Sequence, residues 1–175
     1  GITMAQSLDT LTLDELRPII ARILPRHAAF DGWGDKAVDA AACELGLDPA
    51  VARFAFGGDR VAMIDAWFAS VDDDMLARVT PEMLAKMKIR ERITALIEAR
   101  LSILTPDREA LRRATAILAF PANAPKAARL GWRAADAMWR AAGDTATDYN
   151  HYTKRTILGT GYAATLSVFL NAESD

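Results

Sequence analysis

Apolar residues recur three or four positions apart along almost the whole chain, the spacing that gathers them on one face of an α-helix. Leu16, Ile19, Ile20 and Ile23 make the first such face. Thr12-Leu13-Asp14-Glu15 precedes them with the spacing of a capping box, in which the hydroxyl and the carboxylate satisfy open amides at a helix start. Pro25 is expected to end or kink this helix, and Asp31-Gly32-Trp33-Gly34 to turn the chain. Asp35 can cap a second helix that ends near Leu45, where Gly46 supplies the stop. Asp48-Pro49 opens a third, finished by Gly57-Gly58. Val61, Ile64, Phe68, Val71 and Met75 mark a longer fourth helix. After the start signal Thr80-Pro81 comes a second long stripe of Ile89, Ile93, Ile97, Leu101 and Leu104. Thr105-Pro106 begins a helix running to about Phe120, and Pro121-Ala122-Asn123-Ala124-Pro125 breaks the chain again. Two helices follow, over 126–141 and 150–170, joined by Gly143-Asp144-Thr145-Ala146. No segment keeps the two-residue alternation of a strand, so the expected fold is all-α.

Three short helices, with a glycine-centred turn at Glu44-Leu45-Gly46-Leu47-Asp48, have the form of a helix-turn-helix. Gly32-Trp33, Ala41-Ala42, Leu45-Gly46-Leu47, Phe54 and Gly57-Gly58-Asp59-Arg60 resemble the opening of TetR-type repressors. The expected organisation is a helix-turn-helix-like subdomain over 1–59 and a bundle of long helices over 60–175. Residues 1–7 read as disordered or as a tag, with Gly1-Ile2-Thr3 ahead of Met4 taken as a cloning remnant.

Charge removes the activity this front end suggests. Through residue 60 there are six basic residues against nine acidic ones, and the whole chain carries a net charge of -2. The recognition-helix position, Asp48-Pro49-Ala50-Val51-Ala52-Arg53-Phe54-Ala55, offers one arginine among small apolar residues. Reading DNA needs cations for phosphates and polar groups for base edges, so no nucleic-acid partner is expected. A ligand-responsive TetR-type regulator is the alternative function, and a small hydrolase or isomerase a third. Asp148 and His151 have pairing distance in sequence, but no nucleophile is placed with them. Cys43, the single cysteine, is assigned to a core face and precludes an internal disulfide. With only His27 and His151 as imidazoles, far apart, neither a metal nor another cofactor is expected. At 175 residues and 51% hydrophobic the chain has ample material for a core, yet no unbroken apolar run reaches the roughly 20 residues of a membrane span.

The rear half carries a more specific likeness. Met138-Trp139, Gly143-Asp144, Thr147-Asp148-Tyr149-Asn150 and Tyr152-Thr153-Lys154-Arg155 closely resemble the hallmark stretch of the Coq-nine family, lipid-binding accessory proteins of ubiquinone biosynthesis. Pro121-Ala122-Asn123-Ala124-Pro125 and Phe30-Asp31-Gly32-Trp33 match that family as well. The resemblance covers about residues 13–171. It implies a TetR-like fold used as a homodimer, no catalysis, and an apolar cavity for isoprenoid or phospholipid. It also implies presentation of quinone precursors to a membrane-bound hydroxylase. Where the family usually has tryptophan this chain has His151, and it stops at Asp175 without the family's final amphipathic helix. Peripheral membrane contact is therefore expected to be weak. The implied location is the bacterial cytoplasm beside the inner membrane, or the matrix side of a mitochondrion if the source is eukaryotic.

Within that resemblance the lipid-lining candidates are Ile93, Ile97, Leu101, Leu118, Met138, Leu158 and Tyr162. The partner-binding candidates are Met138, Trp139, Asp144, Asp148, Tyr149, His151, Tyr152 and Arg155. Each has a plainer reading. Trp139 suits ordinary core packing, Asp148 suits capping of the following helix, and the tyrosines suit burial with satisfied hydroxyls. The last helix, with Ile157, Leu158, Tyr162, Leu166, Val168, Phe169 and Leu170, is apolar over most of its surface. Such a helix is buried on more than one side, as a cavity wall and dimer seam or as the centre of a monomeric bundle.

Overall fold

The computed structural model describes residue 8 and residues 10–143, and these are helical, with no strand among them. The helices are α1 (Leu13–Asp31), α2 (Asp35–Leu45), α3 (Pro49–Phe56), α4 (Arg60–Arg78), α5 (Pro81–Ala85), α6 (Ile89–Leu104), α7 (Arg108–Leu118) and α8 (Ala124–Ala142). Single 3-10 turns, Thr105–Asp107 and Pro121–Asn123, precede α7 and α8. The chain divides into two compact units, one of Gly1–Ser70 with Asp107–Asn123 and the other of Val71–Pro106 with Ala124–Asp175. The division falls inside α4, and 107–123 joins the first unit.

The first unit is built on α1. The Thr12 capping box forms as the sequence predicts, with Glu15 N donating to Thr12 Oγ1 at 3.2 Å and Thr12 N donating to Glu15 Oε1 at 3.2 Å. Pro25 does not end the helix; α1 runs through Pro18 and Pro25 to Asp31. Leu16, Ile20, Leu24 and Ala28 recur every four residues on both sides of the prolines and are all buried. Their shared burial against neighbouring helices holds the rod together despite the amides the prolines lack. Gly32, at φ 78, then turns the chain. Beyond it Trp33 is buried, donating from Nε1 to Ala110 O of α7 at 3.0 Å and stacking on Trp67 of α4 at 5.3 Å between ring centroids. An indole needs a partner for its N–H when it leaves water, and the α7 backbone supplies it.

Helices α2 and α3 pack on α1 and on each other. Gly46 ends α2 in the left-handed region at φ 73, and Asp48 accepts from Ala50 N at 2.9 Å to start α3. Ala37, Val38, Ala41 and Ala42 bury the inner face of α2, which leaves Cys43 exposed rather than on the core face expected for it. Its position, two after Ala41 and one after Ala42, rotates it off that face.

In the second unit the start signal at Thr80 serves a helix of its own. Thr80 Oγ1 accepts from Met83 N at 3.3 Å, α5 stops after five residues, and Lys88 is extended before α6 begins. The expected stripe of α6 is displaced as well. Leu96, Arg100 and Leu104 are its buried row, whereas Ile93, Ile97 and Leu101 are half-buried and Ile89 is 51% exposed.

Candidate functional site

The second unit centres on a cluster of Met75, Val79, Leu84, Leu96, Ala134, Met138 and Ala142, drawn from α4, α5, α6 and α8. Ile93, Ile97 and Leu101 lean against this cluster from one side of α6. They stand four residues apart, one turn each, so they form a single apolar ridge along the helix. Four of the lining candidates, Ile93, Ile97, Leu101 and Met138, thus come together in one cluster. Leu118 does not join them; it lies half-buried on α7, in the first unit. Met138 is fully buried, and Trp139 beside it is half-buried. Leu158, Tyr162, Asp144, Asp148, Tyr149, His151, Tyr152 and Arg155 lie outside the described residues.

Three arginines shape this unit that the apolar pattern does not single out. Arg100 is 1% exposed and pairs with Asp72 of α4, while Arg133 of α8 reaches the other carboxylate oxygen at 3.5 Å. Three helices therefore converge on one buried carboxylate. An arginine and an aspartate of this depth are tolerable only as partners, since an isolated buried charge is strongly disfavoured. The signal for Arg100 was present in its register, four residues from both Leu96 and Leu104. Asp72 was indistinguishable from its acidic neighbours Asp73 and Asp74.

Arg92 acts at the other end of α6. Its Nε donates to Met87 O and its Nη1 to Ala142 O, both at 2.9 Å. The second bond satisfies a carbonyl in the last turn of α8, where a cation also meets the negative end of the helix dipole. Gly143 follows at φ 82, and a Cβ there would stand 3.4 Å from Arg92 Nη1. Arg92 thereby fixes the end of α8 at Ala142 and Gly143.

Helix α3 is the segment expected in a recognition position. Pro49, Ala50, Val51 and Phe54 are exposed on its outer side. Its one cation, Arg53, is held in a two-point pair by Asp39 of α2, with Arg53 Nε to Asp39 Oδ1 at 2.6 Å. That pairing holds the Asp39 carboxyl below its ordinary pKa and raises that of Arg53. Asp107, at the start of α7, is pushed the other way: burial raises it, partly opposed by Arg26. Among the described residues no group of three metal-ligating side chains converges, and no helix is long and apolar enough to cross a membrane.

These features define a class: an all-helical protein, over its described residues, whose second unit is apolar and organised around α6 and α8. Residues 124–175 match the COQ9 family, which is the Coq-nine family of the sequence likeness. The human ubiquinone biosynthesis protein COQ9, mitochondrial, is 34% identical over 159 residues, which is 86% of this chain and 48% of the human protein. The rat protein of the same name is 33% identical over 150 residues, 82% of this chain and 48% of its own length. A probable mitochondrial counterpart in Dictyostelium discoideum is 24% identical over 134 residues, covering 73% of this chain and 43% of that protein. The chain belongs to the COQ9 family. It spans about half the length of the curated relatives it matches. Nothing in these relatives favours a transcriptional regulator.

Proposed function

We propose that the protein is a non-catalytic lipid-binding accessory protein of ubiquinone biosynthesis, one that holds an isoprenoid quinone precursor or another lipid and presents it to a membrane-bound hydroxylase. Membership of the COQ9 family supports the pathway. The observation that carries the lipid is the ridge of Ile93, Ile97 and Leu101, half-buried against the fully buried Leu96 and Met138. Such a ridge leaves apolar area beside a closed core, and each Å² of it removed from water is worth roughly 25 cal/mol. A polyisoprenoid tail can be held that way with no polar contact. In this reading the last apolar segment, with Leu158 and Tyr162, closes the other side of the lipid site, and the chain works as a homodimer with a TetR-like arrangement of its helices. Trp139, Asp144, Asp148, Tyr149, His151, Tyr152 and Arg155 form the face offered to the hydroxylase, set in direction by the clamp of Arg92 on Ala142.

Solvent extraction of the purified protein, followed by mass spectrometry, tests this directly. Bound isoprenoid or phospholipid in near-stoichiometric amount is the expected result. Protein that remains empty after exposure to prenylated quinone precursors would overturn the proposal.

A further inference from the structure

The turn between α5 and α6 combines a cluster of exposed cations with exposed apolar side chains. Lys86, Lys88 and Arg90 fall within five positions, all are exposed, and no ion pair among the described residues engages them. Flanking them, Met83 is 45% and Ile89 51% exposed. Of the nearby acids, Glu91 is drawn back onto Lys88 N at 3.4 Å, and Glu82 sits in the first turn of α5.

The cations at the start of α6 are placed against local preference. Ile89 and Arg90 open that helix with Lys88 as its N-cap. The amide end of a helix carries partial positive charge and favours acids, so Lys88 and Arg90 there are unfavourable for the isolated fold. Lys86, at the end of α5, has the opposite and ordinary explanation, since a C-terminal cation suits the dipole. Glu91 in the first turn offsets part of that charge, but Lys86, Lys88 and Arg90 outnumber Glu82 and Glu91 around the turn, and an outside anion would offset the remainder. Beside it, two flexible or branched apolar side chains stand in water. An anionic lipid surface supplies both needs at once, phosphates for the cations and acyl chains for Met83 and Ile89.

We propose that the α5–α6 turn docks on an anionic lipid surface, with Met83 and Ile89 entering the interface and Lys86, Lys88 and Arg90 holding headgroup phosphates. The same turn is tied to the end of α8, because Arg92 bonds both Met87 O and Ala142 O. Docking through it therefore sets the C-terminal end of α8 close to the bilayer. Ile89 stands one turn before Ile93 on the line of the lipid ridge, but the test reads partition onto vesicles and does not depend on whether a lipid is carried.

The test uses the full chain with Cys43→Ser and Ile89→Cys, labelled at residue 89 with an environment-sensitive fluorophore. Vesicles of phosphatidylcholine containing about a third phosphatidylglycerol should shift the emission to the blue, and plain phosphatidylcholine vesicles should not. Neutralising Lys86→Gln, Lys88→Gln and Arg90→Gln together should lower partition into the anionic vesicles on the order of a hundredfold, about fivefold for each cation. Serine at Met83 and Ile89 should also weaken partition while leaving its salt dependence in place. Since all five side chains are at the surface, circular dichroism of each variant should match the parent. Protein that sediments with vesicles while the probe on residue 89 stays in water would overturn the proposal. So would a triple variant that partitions like the parent.

Discussion

An arginine that is 1% exposed holds its charge only through what touches it. Arg100 has Asp72 among its partners, and removing that carboxylate takes a countercharge from a cation in the interior of the second unit. Asp72→Asn is therefore expected to destabilise the protein by about 3–5 kcal/mol, read as a fall in the urea midpoint. The joint change Asp72→Leu and Arg100→Met should recover most of that loss, because it removes both charges and keeps the volume. Asp107 makes a prediction of its own. Burial raises its carboxyl above the ordinary value, so the folded state binds that proton more tightly than the unfolded chain does. The associated stability is complete in acid, below the unfolded carboxylate range, and is lost as pH rises through the folded value. Asp107→Asn should consequently be more stable than the parent at neutral pH. That advantage should vanish in denaturation curves recorded in acid, and an advantage that grew on acidification would contradict the assignment.

At the scale of helices, most of the elements were legible because their signals are local. The Thr12 box, the Gly46 stop and the Asp48-Pro49 start all act within one turn, and all three stand where the sequence places them. Pro25 misled because the burial of Leu16, Ile20, Leu24 and Ala28 outweighs one missing amide, and that burial depends on neighbours far along the chain. Helix α6 shows the same limit in finer detail. Its apolar residues outnumber those that one face can bury, and the expected stripe of Ile89, Ile93, Ile97, Leu101 and Leu104 left out Leu96. Packing chose Leu96, Arg100 and Leu104 for the interior and left Ile93, Ile97 and Leu101 at its margin. The two rows should respond differently to truncation. Leu96→Ala should cost about 2–5 kcal/mol by denaturation. Ile97→Ala should cost less, since a half-buried side chain surrenders less area, and should lower the lipid recovered per protein. Equal stability losses with unchanged lipid content would place Ile97 in the core instead.

For the molecule as a whole, the hallmark stretch was the most specific part of the sequence, and the family relationship follows from it. The homodimer implied by that relationship makes a simple prediction: sedimentation equilibrium should give twice the chain mass, falling to one only on dilution. A single mass at every concentration would remove the dimer seam from the account of the last apolar segment. The chain by itself determined that its described residues are helical, where most helices begin and stop, and that its first sixty residues carry more acids than bases. Those outcomes rest on backbone propensity, capping and net charge, which act between residues near in sequence or add up regardless of arrangement. Only the tertiary structure decided that Arg53 is spent on Asp39, that Arg100 is interior, that Cys43 faces water, and that Ile93, Ile97 and Leu101 border the core instead of filling it. Each of those depends on which helix lies opposite, and a helical period cannot tell a side chain what it will face.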